Sequence, residues 1–110
     1  MGFVALGFLR TDVSRQHRSW YAAQVRCLAR RLGYDLSGTI ALGHSGDPVR
    51  HLLDTVARVN AEAVVVPSAD HFADRVIPAA LVEITDVITV APEYTYARWA
   101  TGELPVLSTP

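Results

Sequence analysis

Three short polar runs carry most of the side chains that could do chemistry. They are Arg10 to Ser14 (RTDVS), Gly43 to Asp47 (GHSGD) and Ser68 to Asp74 (SADHFAD). Each follows an apolar run. Arg10 suits a phosphate or another anion; its alternative is a solvated guanidinium, or one paired with Asp12 or Asp70. Ser45 and Gly46 sit just ahead of Asp47-Pro48, a helix start whose free N–H groups favour anions, although Asp47 as a cap competes for them. Arg10, Ser45 and Gly46 are therefore the candidate anion-binding set. Arg10, Ser14, Ser45 and Asp70 are the candidates for catalysis.

Other chemistries fit less well. GHSGD resembles a nucleophile elbow, Gly-x-Ser-x-Gly, but Asp47 stands at the last glycine and 110 residues are too few for a hydrolase of that fold. His44, His51 and His71 have no spacing for a closed metal site. Cys27 is the only cysteine, so no metal or other cofactor is expected. Arg15 to Tyr21 (RQHRSWY) mixes bases and aromatics as nucleic-acid surfaces do, and equally describes a loop entering a helix.

The elements that must position these runs can be read from periodicity. Phe3 to Leu9 is an apolar stretch of strand length, followed by a polar loop from Arg10 to about Arg18. Tyr21, Val25, Leu28 and Leu32 then recur on one helical face. Arg26, Arg30 and Arg31 crowd its last turns and Gly33 follows as a stop. Tyr34 to Leu42 reads as a second strand. After Asp47-Pro48, Val49, Leu52, Leu53, Val56 and Val59 mark a second helix that Asn60 can close. Ala63 to Val66 is a third strand and Asp86 to Ala91 a fourth, with a weaker helix between Asp74 and Glu83 that has Pro78 in its first turn. Beyond Pro92 the periodicity is lost.

Strands alternating with helices imply βαβ units. The expected fold is α/β, a three-layer α/β/α domain around a mostly parallel sheet of four strands or slightly more, over residues 1–91. Residues 92–110 are expected to be an irregular tail, whose Tyr94, Tyr96 and Trp99 pack on the domain or cover a partner. In such sheets ligands bind off the carboxyl ends of the strands, and all three polar runs gather there.

These runs also carry a family resemblance. Gly7-Phe8-Leu9-Arg10-Thr11-Asp12 resembles the first-strand motif Gly-Tyr-x-Arg-Val-Ser of serine recombinases, the resolvase/invertase family. Gln24 to Leu28 with Gly33 resembles their Gln-x-x-x-Leu…Gly helix. Ser45-Gly46 resembles the Ser-Gly closing their second strand, and Val64 to Phe72 their third strand with its Leu-Asp-Arg. Order and spacing hold from residue 3 to about 91, so the resemblance implies a resolvase-like fold. It also implies a mechanism in which a serine attacks a DNA phosphodiester while arginines neutralise the developing charge.

Arg10, Ser45, Gly46 and Asp70 match family positions. Phe8 replaces the tyrosine, Asp12 stands where the nucleophilic serine belongs, His71 and Asp74 stand where two arginines belong, and Leu42 replaces an acidic residue. Each lost donor in such a site raises the barrier by about 3–4 kcal/mol. Ser14, two residues past the expected position, is the substitute nucleophile if any chemistry survives. The family's dimerisation helix and DNA-binding domain are not expected within these 110 residues.

Composition sets the remaining bounds. Half the residues are hydrophobic and 19% charged, which favours a packed core. The net charge of −1, with ten basic and eleven acidic residues, makes DNA a weak expectation as partner. No apolar run reaches the roughly 18 residues of a membrane helix. MGFVALGFLRTD reads as a strand and not as a signal peptide, and with one cysteine the cytoplasm is expected. The expected function is a degenerate, non-catalytic recombinase-like module that binds or regulates, as a homo-oligomer or with a protein partner. The alternatives are an active DNA strand-transfer enzyme with a rearranged nucleophile, and a small-anion or nucleotide binder at the strand ends.

Overall fold

The computed structural model describes residues 3–43 and 47–98, with the side chains of Ser14 and Arg15 set aside. Strand β1 (Phe3–Arg10) leads into a short helix α1 (Thr11–Ser14) and a 3-10 turn (Arg15–His17). Helix α2 (Arg18–Arg31), strand β2 (Tyr34–Leu42), helix α3 (Pro48–Val59) and strand β3 (Ala63–Val66) follow. Two further 3-10 turns (Ala69–His71, Ala73–Arg75) precede a one-turn helix α4 (Ala79–Val82), then β4 (Asp86–Thr89) and β5 (Tyr94–Tyr96).

The sheet order is β2-β1-β3-β4-β5. β1 to β4 are parallel, and β5 is antiparallel to β4. The fold is thus the expected α/β class, with a mostly parallel sheet of five strands. Alternation along β1 explains why it must be covered on both sides. Ala5 and Leu9 pack with Val25, Leu28 and Ala29 of α2, together with Ala63, Val65 and Ile88. Leu6 and Phe8 pack with Leu52 and Val56 of α3, Leu81 and Val82 of α4, and Val64, Val66 and Val87. Two apolar faces require two helical layers.

Close approach at Gly7 fixes how α2 sits on the sheet. A Cβ there would fall 2.7 Å from Thr39 Oγ1 and 2.9 Å from Val25 Cγ1. β2 carries a bulge: Ala5 pairs with Leu36 but Leu6 pairs with Gly38, leaving Ser37 extra. Because side chains alternate with period two, one extra residue exchanges the faces. Leu36 therefore joins the α2 layer and Ile40 the α3 layer.

The ends of α3 obey local chemistry. Asp47 Oδ1 accepts the Arg50 N–H at 3.1 Å, Pro48 opens the helix, and Asn60 closes it in the left-handed conformation at φ 57°. Four sequence expectations need correction. Leu32 is 43% exposed because α2 ends at Arg31, leaving Leu32 beyond the last turn. The helix expected from Asp74 shrinks to α4: Asp74 has φ 57°, and Ile77, preceding Pro78, is kept out of the helical region by the proline ring. The loop after Arg10 is helical, as α1 and a 3-10 turn. The stretch after Pro92, expected to be irregular, starts with a hairpin strand, since Thr89 pairs with Tyr94 and Val87 with Tyr96. Trp99 and the rest of the tail lie outside the described residues.

Candidate functional site at the carboxyl edge of the sheet

The chain leaves β1 for β2 on one side and returns to β3 on the other. The topological switch point therefore lies between the carboxyl ends of β1 and β3, where doubly wound sheets place their ligand crevice. The β1–β3 ladder runs only from Ala5↔Ala63 to Gly7↔Val65, while β1 continues to Arg10. The last residues of β1 are thus unpaired on the β3 side.

His71 fills that opening. Its ring is buried, at 2% exposure, and Nδ1 accepts the Arg10 backbone N–H at 2.9 Å. Two neighbours hold it there. Ser68 Oγ accepts the Asp70 N–H at 3.2 Å and caps the 3-10 turn. Phe72, also buried, stacks on Phe8 at 5.4 Å and 14°. Tyr21 of α2 meets the imidazole edge-on at 5.7 Å. With Nδ1 accepting, the neutral ring carries its proton on Nε2. Burial pushes the His71 pKa below its ordinary value. Asp70 opposes that shift, Arg10 adds to it, and Asp12 opposes it more weakly. At neutral pH His71 is an uncharged plug, with its one lone pair held by the backbone.

The Arg10 guanidinium turns to Asp12. Nε donates to Oδ1 at 2.9 Å and an Nη to Oδ2 at 2.7 Å, a two-pronged fork that uses both carboxylate oxygens. The arginine at the end of β1 therefore carries an internal counter-ion two residues away. Asp70 reaches Arg75 at 3.2 Å, but both side chains are mostly exposed, so that pair fixes little. Asp74 is exposed on a left-handed backbone, and His51 is exposed on α3.

The second polar run begins at the same edge of the sheet. Arg10 pairs in register with Leu42, and a Cβ on Gly43 would lie 3.5 Å from Thr11 Oγ1, so the second polar run starts beside α1. Ser45, Gly46 and His44 themselves lie outside the described residues. Ser14 closes α1, but its side chain is also outside them. The inward face of Tyr21 follows from its helical spacing, but neither the His71–Arg10 bond nor the contact of Tyr21 with His71 was legible in the sequence. The signal was present in part: His71 precedes an aromatic, Phe72, in a run that starts directly after a fully buried strand.

Within RQHRSWY the two aromatics part company. Tyr21 is half-buried against His71, with His17 and Trp20 edge-on to it, whereas Trp20 is 59% exposed. Among the described residues no group of three or more His, Cys, Asp or Glu side chains could hold a metal ion. None of the described helices is long and apolar enough to cross a membrane.

No family model, curated protein or solved structure matches this chain. At this edge a neutral histidine fills the crevice and the nearest arginine is neutralised by an aspartate.

Proposed function

We propose that this domain is a non-catalytic binding or regulatory module on a serine-recombinase-like scaffold. The bidentate Arg10–Asp12 pair carries this reading. In the mechanism that the resemblance implies, the position of Asp12 holds the attacking hydroxyl and Arg10 faces the phosphate. Here the carboxylate supplies negative charge where an incoming phosphodiester needs positive charge, and it occupies the guanidinium fork that would receive the phosphate. The neutral His71, at a position where the family has an arginine, adds no cation.

A trapping assay tests this reading. The protein is mixed with supercoiled plasmid, quenched in detergent and examined for DNA covalently attached to protein, with Ser14→Ala and Ser45→Ala alongside. No adduct is expected from any of the three. An adduct formed by the wild type and lost in Ser14→Ala or Ser45→Ala would overturn the proposal in favour of an active strand transferase.

A further inference from the structure

A second surface, the outer side of β2, names a partner class for such a module. β2 is the outer strand of the sheet, and among the described residues no strand pairs with its far side. It is nine residues long. From Leu36 to Gly43 (LSGTIALG) it carries neither a charge nor a proline, the usual guards of a free edge. Its bulge at Ser37 lies near the start, leaving Gly38 to Leu42 as regular strand. Outward N–H and C=O groups along that stretch are a template for one more strand.

Two cations flank this edge. Arg26 and Arg30 of α2 line an open depression of about 320 Å³ together with Tyr34, Asp35 and Leu36 of β2. Neither guanidinium takes part in an ion pair or hydrogen bond among the described residues. Both are exposed. They stand one helical turn apart, about 6 Å along the axis. On an extended chain, side chains at i and i+2 share a face and lie about 6.6–6.8 Å apart. Tyr34 and Leu36 belong to the α2 layer, so a strand added beside β2 would turn every second side chain toward the same helix. Acidic residues at alternate positions would match the arginine spacing. Asp35 is the one carboxylate in the lining, and it sets a limit on how much acid the first turn of the groove accepts.

We propose that an extended acidic peptide segment of a partner protein adds to the β2 edge as a sixth strand, its alternate carboxylates on Arg26 and Arg30. This deepens the reading of the domain as a binding module. Arg26 and Arg30 line the amino end of β2, whereas Arg10 pairs with Leu42 at its carboxyl end, so covalent trapping tests one statement and charge-dependent peptide binding the other.

The probe is a fluorescein-labelled octapeptide alternating threonine with glutamate, compared with one alternating threonine with lysine. Anisotropy with the full chain should show saturable binding of the glutamate peptide alone, weakened by salt. In Arg26→Gln/Arg30→Gln, two exposed substitutions that should leave the fold intact, affinity should fall about tenfold. Amide exchange should show those amides of residues 38–42 that point away from β1 protected by the glutamate peptide. Equal binding of the two peptides, unchanged affinity in the double variant, or protection away from β2 would each overturn the proposal. So would protection, without peptide, of the amides in 38–42 that point away from β1. If it rises with protein concentration, a second copy covers the edge; if it does not, the chain covers it itself.

Discussion

The backbone N–H of Arg10 donates to Nδ1 of His71 across 2.9 Å, joining the end of β1 to a turn sixty-one residues later in the chain. The bond replaces the strand pairing that stops at Gly7 and Val65, and it needs a neutral imidazole. A protonated ring would turn its acceptor into a second donor facing the same N–H.

Stability should therefore depend on pH through His71. Burial holds the folded-state pKa below the ordinary 6.5, so the unfolded chain takes up its proton at a higher pH than the folded one. The contribution of His71 is fully present above 6.5 and is lost as the pH falls through the folded-state value. The wild-type melting temperature should drop as the pH falls below 6.5. His71→Asn keeps an acceptor oxygen near the Nδ1 position but does not titrate. It should lower stability by about 1–2 kcal/mol from lost packing, and its profile should be flatter as the pH falls below 6.5. Parallel profiles for the two proteins would show that the imidazole is not the group responsible.

How much of this was readable in the sequence depends on what holds each element. α3 was legible to the residue at both ends because Asp47-Pro48 and Asn60 act locally, through one side chain and one backbone conformation. β3 was legible because AVVV is buried on both faces. Where tertiary contacts decide, the pattern was silent. Nothing in YDLSGTIAL announces that Ser37 is extra, since the bulge exists only against the register of β1. Tyr94–Tyr96 reads as loop because a three-residue strand has no period of its own and is ordered by pairing with β4. Of the candidate site, the gathering of three polar runs at one edge follows from topology. The Arg10–Asp12 fork was among the alternatives the residue types allowed. The His71 plug was not, because its partner is a backbone amide, which no residue type reveals.

Phe8 gives a direct test of the packing behind the plug. Its ring is fully buried and stacks on Phe72, next to His71. The serine-recombinase motif would place a tyrosine there. Phe8→Tyr inserts a hydroxyl into the layer formed with Leu52, Leu81 and Val64. An unpaired buried hydroxyl costs about 1–3 kcal/mol, and chemical denaturation should show a loss of that size. A variant as stable as the wild type would mean that the ring reaches a polar partner or water at the carboxyl edge.

Asp12 should be what keeps Arg10 from binding anions. The pair is partly exposed, with side-chain exposures of 15% for Arg10 and 37% for Asp12, so breaking it should cost little stability, about 0.2–1 kcal/mol. Its larger effect is on availability. Asp12→Asn removes the charge but keeps the size of the side chain, leaving a guanidinium fork at the carboxyl end of β1 without its internal carboxylate. Inorganic phosphate at millimolar concentration should then raise the melting temperature of Asp12→Asn, by mass action on the folded state, and leave the wild type unmoved. Adding Arg10→Gln to Asp12→Asn should abolish the gain. Phosphate stabilisation of the wild type itself, lost in Arg10→Gln, would mean that the carboxylate yields its place to the anion. The carboxyl edge would then be a ligand site in its own right, as the anion-binding alternative requires, and the fork would be its resting state.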